Sequence, residues 1–114
     1  MRKIYWSKEY EDFFYSLDSS VKKKIDYVLQ VIKSKRIVHS KFVKKLTNSP
    51  YYEIRISVNN EYRIILFTAD EINFINATSV YLLNGFKKKS TKDYRKQIAI
   101  ADNIVKRLFD NMEK

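Results

Sequence analysis

From residue 52 onward apolar and polar positions alternate: Tyr52, Ile54, Ile56 and Val58 fall on one side, and Glu53, Arg55 and Ser57 on the other. After Asn59-Asn60 a second run follows, Glu61 to Phe67, dominated by Tyr62, Ile64, Ile65, Leu66 and Phe67. A period of two on either side of a polar pair predicts a β-hairpin. A third strand of the same meander is expected within residues 72–83, entered through the polar turn Ala69-Asp70-Glu71. Elsewhere the period lengthens. Val21, Ile25, Val28, Leu29 and Ile32 recur at helical spacing while Lys22, Lys23, Lys24 and Lys33 take the opposite face, which predicts an amphipathic helix with solvated lysines.

Residues 2–6 read as a short strand. Ser7 is a plausible N-cap, with Glu9 and Glu11 in the first turn of a short helix that breaks around residues 18–20. Residues 34–50 are less regular. Phe42 and Leu46 are spaced like one helical turn, and Asn48-Ser49-Pro50 forms a break, so the segment is expected to be a semi-ordered connection. Asp93 is a candidate N-cap for a final helix whose Ile98, Ala101, Val105, Leu108 and Met112 share a stripe.

The order strand, helix, helix, three antiparallel strands, helix belongs to the α+β class. The expected architecture is an antiparallel sheet of about four strands with two N-terminal helices on one face, followed by a C-terminal helix. Glu53, Arg55 and Ser57 are expected to point away from the core. No internal repeat or low-complexity tract interrupts the 114 residues, so one domain spanning residues 1–114 is expected.

Charge changes this picture. Twenty-three Lys and Arg against thirteen Asp and Glu give a formal net charge of +10 and a pI near 9.7, so the expected partners are polyanions. Nucleic acid, an anionic membrane surface and an acidic masking protein all fit composition alone. The chain has no cysteine and one histidine, His39, which excludes disulfide frameworks, thiolate metal sites and cysteine nucleophiles and leaves little room for imidazole-rich metal sites or a Ser-His-Asp triad. No metal or other cofactor is expected. The first residues lack the apolar core of a signal peptide and no stretch is long enough to span a bilayer, so a cytoplasmic protein without membrane association is expected.

The cations are not spread evenly. In SVYLLNGFKKKSTKDYRK, residues 79–96, an apolar strand pattern stops at Gly85-Phe86 and Lys87, Lys88 and Lys89 follow at once. Gly85, the single glycine, can adopt backbone angles closed to other residues, which suggests a buried strand that delivers these lysines to a sheet edge. A solvated loop that keeps the chain soluble is the plainer reading of the same run.

The hairpin YYEIRISVNNEYRIILF followed by YLLNGFKKKSTKDYRKQIAIA resembles the HigB-type branch of the RelE/ParE toxin superfamily of toxin–antitoxin pairs. The matching positions are Glu53-Ile54-Arg55, Tyr62-Arg63, Leu82-Leu83-Asn84-Gly85-Phe86, Lys88-Lys89-Ser90 and Lys92. Asp93-Tyr94 replaces the family's usual Thr-Pro, and the stretch before the last strand is longer than usual. The resemblance implies a RelE/ParE-like fold and a small, basic, metal-independent endoribonuclease that cuts messenger RNA on the ribosome. It also implies silencing by a cognate antitoxin of the helix-turn-helix DNA-binding kind, with DNA contacted only through that complex. A ParE-like gyrase inhibitor and a non-catalytic RNA- or antitoxin-binding protein of the same fold are the alternatives.

RNA can be cut without metal when its own 2′-hydroxyl attacks the adjacent phosphate, given a base, an acid and charge stabilisation of the phosphorane. Arg55 and Arg63 on adjacent strands are candidates for a fork around the non-bridging oxygens. This depends on register. A two-residue Asn59-Asn60 loop puts the two arginines on opposite faces, whereas a three-residue loop or a bulge at residues 59–61 puts them on one. Lys88, then Lys89 and Lys87, are candidates for acid or base, because crowded cations lower one another's pKa. Glu53 is a candidate base but pairs naturally with Arg55. Tyr62 and Tyr94 are candidates for stacking on bases, and Lys92, Arg95 and Lys96 for holding the RNA backbone. His39 sits in the irregular segment, where a lone histidine is more often a surface residue.

Overall fold

The computed structural model describes residues 1–110. Among these the chain forms five strands and three α-helices: β1 (Lys3–Trp6), α1 (Lys8–Tyr15), α2 (Ser19–Ser34), β2 (Val43–Lys45), β3 (Tyr52–Val58), β4 (Asn60–Thr68), β5 (Ser79–Lys87) and α3 (Asp93–Asp110). A 3₁₀ turn, Phe74–Asn76, precedes β5. The strands make one sheet in the order β1-β5-β4-β3-β2.

The sheet is mixed and larger than expected. β1 runs parallel to β5, from Lys3 opposite Ser79 to Trp6 opposite Leu82, while the other pairings are antiparallel. The fifth strand is β2, which lies in the segment read as a semi-ordered connection. Its three residues are too few to display a period, yet they carry Val43 opposite Ile54 and end beside Leu46. Phe42, just before β2, packs with one core and Leu46, just after it, with the other, so their spacing is not a helical turn.

Two cores result. On one face α1 and α2 cover Ile54, Ile56, Ile64, Leu66, Val80 and Leu82 with Tyr10, Val21, Ile25, Val28 and Ile32. Each fully buried aliphatic side chain here contributes roughly 2 kcal/mol of transfer free energy. On the other face α3 lays Ala101 and Ile104 over Tyr51, Ile65, Leu83 and Phe86, with Ile98, Val105 and Leu108 half-buried at the rim. Glu53, Arg55 and Ser57 alternate with Ile54 and Ile56 and so lie on this second face, away from the core under α1 and α2, but α3 covers part of it. The stripe is centred one residue from the predicted one, on Ile104, and Met112 lies outside the described residues.

Local signals account for the helix ends. The Ser7 hydroxyl accepts the Tyr10 N–H at 3.1 Å and donates to the Leu83 carbonyl, so one side chain caps α1 and ties it to β5. Asp93 is not an N-cap. It is the first residue of α3, and its carboxylate reaches back to accept the N–H groups of Lys89 at 2.7 Å and Ser90 at 2.9 Å, which ties the lysine loop to the start of the helix.

Gly85 also has a different reason from the one expected. Its φ is not positive, and it pairs with Ile64 where the register of β4 and β5 shifts, between Ile64 and Leu66. What it supplies is space, because a Cβ built there would stand 2.3 Å from Phe13 Cδ2 of α1. The absent side chain lets α1 approach the end of β5.

Candidate nucleic-acid interface

The hairpin register decides the site. Ser57 pairs with Glu61 around a three-residue turn whose centre, Asn59, has φ 62°, so Arg55 lies directly opposite Arg63 and both side chains share the face that α3 partly covers. Asparagine tolerates this left-handed conformation better than most residues, which is why an Asn-Asn pair can make an odd-numbered turn.

Two cations directly opposite one another repel, and Glu53 offsets this. It lies two residues before Arg55 on β3 and is only 5% exposed. Its Oε1 is 3.5 Å from Arg55 Nε and its Oε2 is 3.7 Å from Arg63 Nε. Arg63 is 2% exposed and has further partners: its Nε donates to the Tyr94 hydroxyl at 3.1 Å, and its Nη1 donates to Glu61 Oε1 at 3.2 Å and to the Tyr62 carbonyl at 2.9 Å. Arg55 keeps a side chain 35% exposed. The two arginines thus differ in kind. Arg63 is a fixed strut, and Arg55 is the guanidinium that an incoming anion can reach.

Burial acts against the Arg63 charge, but hydrogen bonds to Tyr94 and Glu61 and the Glu53 carboxylate outweigh it and hold its pKa above the ordinary value. Burial raises the Tyr94 phenol, and the neighbouring Glu53 carboxylate raises it further. The Ser57 hydroxyl and Arg63 hold the Glu61 carboxyl below its usual range. Glu53 Oε2 is buried and accepts no hydrogen bond among the described residues.

The end of β5 brings in the lysines. The Lys88 N–H donates to the Glu61 carbonyl at 2.8 Å, which extends the ladder by one step and places Lys88 on the same face as Phe86 and Arg63. Its ammonium lies 5.3 Å from the centre of the Tyr94 ring, and that ring packs edge-on against Phe86 at 5.7 Å. Lys89, Lys92, Arg95 and Lys96 are exposed in the loop and first turns of α3.

Two expected contacts fall elsewhere. Lys87 pairs with Tyr62 and turns to the opposite face. Tyr62 is buried in the core under α1 and α2, so it cannot stack on a base: alternation along β4 sends it away from Arg63. His39 is exposed in the loop after α2, where its Nδ1 accepts the Lys41 N–H at 2.9 Å. The bond from Tyr94 to Arg63 escaped sequence reasoning because it depends on where α3 docks. Among the described residues no group of three or more His, Asp or Glu is placed to hold a metal ion, and no helix is long and apolar enough to cross a membrane.

The molecule is thus a mixed sheet clasped by two helices on one face and one on the other, with an arginine pair beside a lysine-bearing strand end. Residues 12–106 match the family described as Phage derived protein Gp49-like (DUF891), and the chain belongs to that family. Its fold is that of RelE. The toxin in the intact E. coli RelBE toxin–antitoxin complex matches with a TM-score of 0.58 at 16% identity, over 79% of this chain and 100% of that one. The isolated E. coli RelE toxin matches with 0.58 at 18% identity over 87% and 97%, and the RelB–RelE antitoxin–toxin complex from Methanococcus jannaschii with 0.56 at 19% over 79% and 96%. No curated protein sequence matches the chain.

Proposed function

We propose that this protein is the toxin of a toxin–antitoxin pair, of the HigB-type branch, and that it cleaves messenger RNA on the ribosome without a metal. The observation that carries the reading is the pairing of Arg55 with Arg63 around Glu53, with Lys88 and Tyr94 at its mouth. The fold shared with RelE and the net charge of +10 support it.

In this reading Arg55 binds the non-bridging oxygens of the scissile phosphate, and its charge stabilises the phosphorane more than the ground state. Arg63 adds a second positive charge from below and fixes Glu53. The 2′-hydroxyl attacks phosphorus while its proton passes to Glu53 Oε1, the oxygen beside Arg55, the P–O5′ bond breaks, and the Lys88 ammonium protonates the departing oxygen. The products are a 2′,3′-cyclic phosphate and a 5′-hydroxyl end. Tyr94, Lys89, Lys92 and Arg95 hold the flanking strand. An antitoxin with acidic segments silences the protein by covering this basic face.

Inducing the wild-type chain and mapping 5′ ends of cellular messenger RNA tests the proposal. Cuts within reading frames that fall about a hundredfold in Arg55→Ala and Lys88→Ala support it. Growth arrest without cuts, equal in all three proteins, sinks it and favours gyrase inhibition.

A further inference from the structure

β2 covers β3 only from Tyr52 to Ile54. The Phe42 carbonyl then takes the Arg55 N–H at 2.7 Å, and past that point the outer edge of β3 has no strand partner among the described residues. Strand alternation turns the N–H of Ser57 to this same edge. Here a cleft of about 210 Å³ opens, lined by Lys24, Lys41, Phe42, Arg55 and Ser57. Three elements distant in sequence, the middle of α2, the loop before β2 and β3 itself, each contribute one cation.

The cleft has an aromatic floor. Lys41 Nζ lies 5.0 Å and Lys24 Nζ 5.5 Å from the centre of the Phe42 ring, and Lys24 Nζ is 5.4 Å from that of Tyr27. Tyr27 packs edge-on against Phe42 at 6.2 Å yet remains 57% exposed. Among the described residues no carboxylate lines the cleft; from outside it Glu61 accepts the Ser57 hydroxyl at 2.5 Å and Glu53 pairs with Arg55 at 3.5 Å, which leaves Lys24 and Lys41 as its cations without a carboxylate in the lining.

We infer that this cleft is a second phosphate subsite, which holds single-stranded RNA as it leaves the sheet face over the open edge of β3. The inference rests on the ribonuclease reading in that Arg55 belongs to both sites. Lys24 and Lys41 neutralise the next phosphate or two along the strand, and Tyr27 offers its face to a base. Cations interleaved with exposed aromatic rings suit a nucleic-acid strand, whose bases stack as its phosphates pair. An acidic peptide has no use for the ring. The path also explains how a chain with its arginine pair half under α3 admits a long substrate: the strand enters beside Lys88 and exits past Lys41.

The test uses the purified full chain and a labelled single-stranded oligoribonucleotide with 2′-O-methyl groups, which cannot be cleaved, with affinity followed by fluorescence anisotropy against salt concentration. The Lys24→Ala/Lys41→Ala pair is expected to weaken binding about tenfold or more and to lower the slope of log affinity on log salt by about 1.4, two phosphates at about 0.7 each. Tyr27→Ala is expected to weaken binding about tenfold with the slope unchanged. A charge-matched control, Lys23→Ala/Lys106→Ala, removes exposed lysines that lie outside the cleft, and thermal midpoints establish that all variants fold. Equal losses in the cleft pair and the control pair overturn the inference, as does failure of the wild type to bind. Messenger RNA left uncut by a wild type whose binding still depends on Lys24 and Lys41 overturns the ribonuclease reading and leaves the subsite standing.

Discussion

Arg63 of β4 and Tyr94 of α3, thirty-one residues apart, meet through a single hydrogen bond of 3.1 Å between the guanidinium Nε and the phenolic oxygen. That bond couples the arginine pair to the docking of the last helix, so whatever lifts the start of α3 loosens Arg63. Tyr94→Phe is expected to lower unfolding free energy by about 1–2 kcal/mol, because it leaves a buried donor short of its nearest partner. Urea denaturation reads the loss. Any fall in cleavage beyond that expected from the fraction unfolded then measures how far Arg63 must be held in place.

Gly85 and Phe13 form a second coupled pair. Gly85→Ala places a methyl group where the Phe13 ring now lies, 2.3–2.8 Å away, and overpacking of this kind typically costs about 1–3 kcal/mol. Phe13→Leu in the same chain should recover part of that loss. A double-mutant cycle with zero interaction energy would show that α1 does not approach β5 as described.

Arg2 is buried with no carboxylate beside it among the described residues. Its guanidinium donates to the carbonyls of Ile32 at 2.8 Å and Phe74 at 3.0 Å and to those of Lys35 and Arg36, and it stacks 4.1 Å from the centre of the Phe74 ring. It therefore closes the C-terminal end of α2, where carbonyls lack helical partners and the helix dipole favours a cation. Burial, and the charge of Arg36 beside it, lower its pKa. Arg2→Met, similar in length but without donors, is expected to cost about 3 kcal/mol by orphaning several carbonyls at once. Lys3→Met next to it, on an exposed residue, should change stability by less than about 0.5 kcal/mol.

These residues show where sequence reading reaches its limit. The hairpin, α2 and the Ser7 cap announce themselves because burial on one face of a long element leaves a period and a cap leaves a residue type. β2 does not, since three residues on an edge cannot display alternation. The parallel pairing of β1 with β5 is equally silent, because direction across seventy residues is set by how the helices between them cross the sheet. At the site, Arg55, Arg63 and Lys88 were legible as cations at particular strand positions, and their shared face followed once the turn was known to hold an odd number of residues. The division of labour between them was not. Which of two arginines is buried depends on α3, and nothing in the composition of a chain with 23 cations marks Arg2 as the one that closes a helix or Lys24 and Lys41 as neighbours.

Stability at alkaline pH follows from three phenols, Tyr10 and Tyr51 buried and Tyr94 half-buried. Tyr10 and Tyr94 are raised chiefly by burial; Tyr51 is raised by burial and by its hydrogen bond to Asp102 Oδ1 at 2.5 Å. For a phenol raised in the folded state, the fold binds the proton more tightly than the unfolded chain does, so its contribution is fully present below the unfolded value of about 10 and is lost as pH climbs above it. Urea titrations from about pH 8 to about pH 11 should therefore show stability falling steeply beyond about pH 10. The wild-type slope alone does not separate one phenol from another. Tyr51→Phe is the discriminating variant: it should be less stable than the wild type at pH 8 for want of its bond to Asp102, and the gap should narrow as pH rises because one proton-linked loss has been removed. A gap of constant size across the range would mean that Tyr51 ionises alike in the folded and unfolded chain and that its contact with Asp102 does not govern its titration.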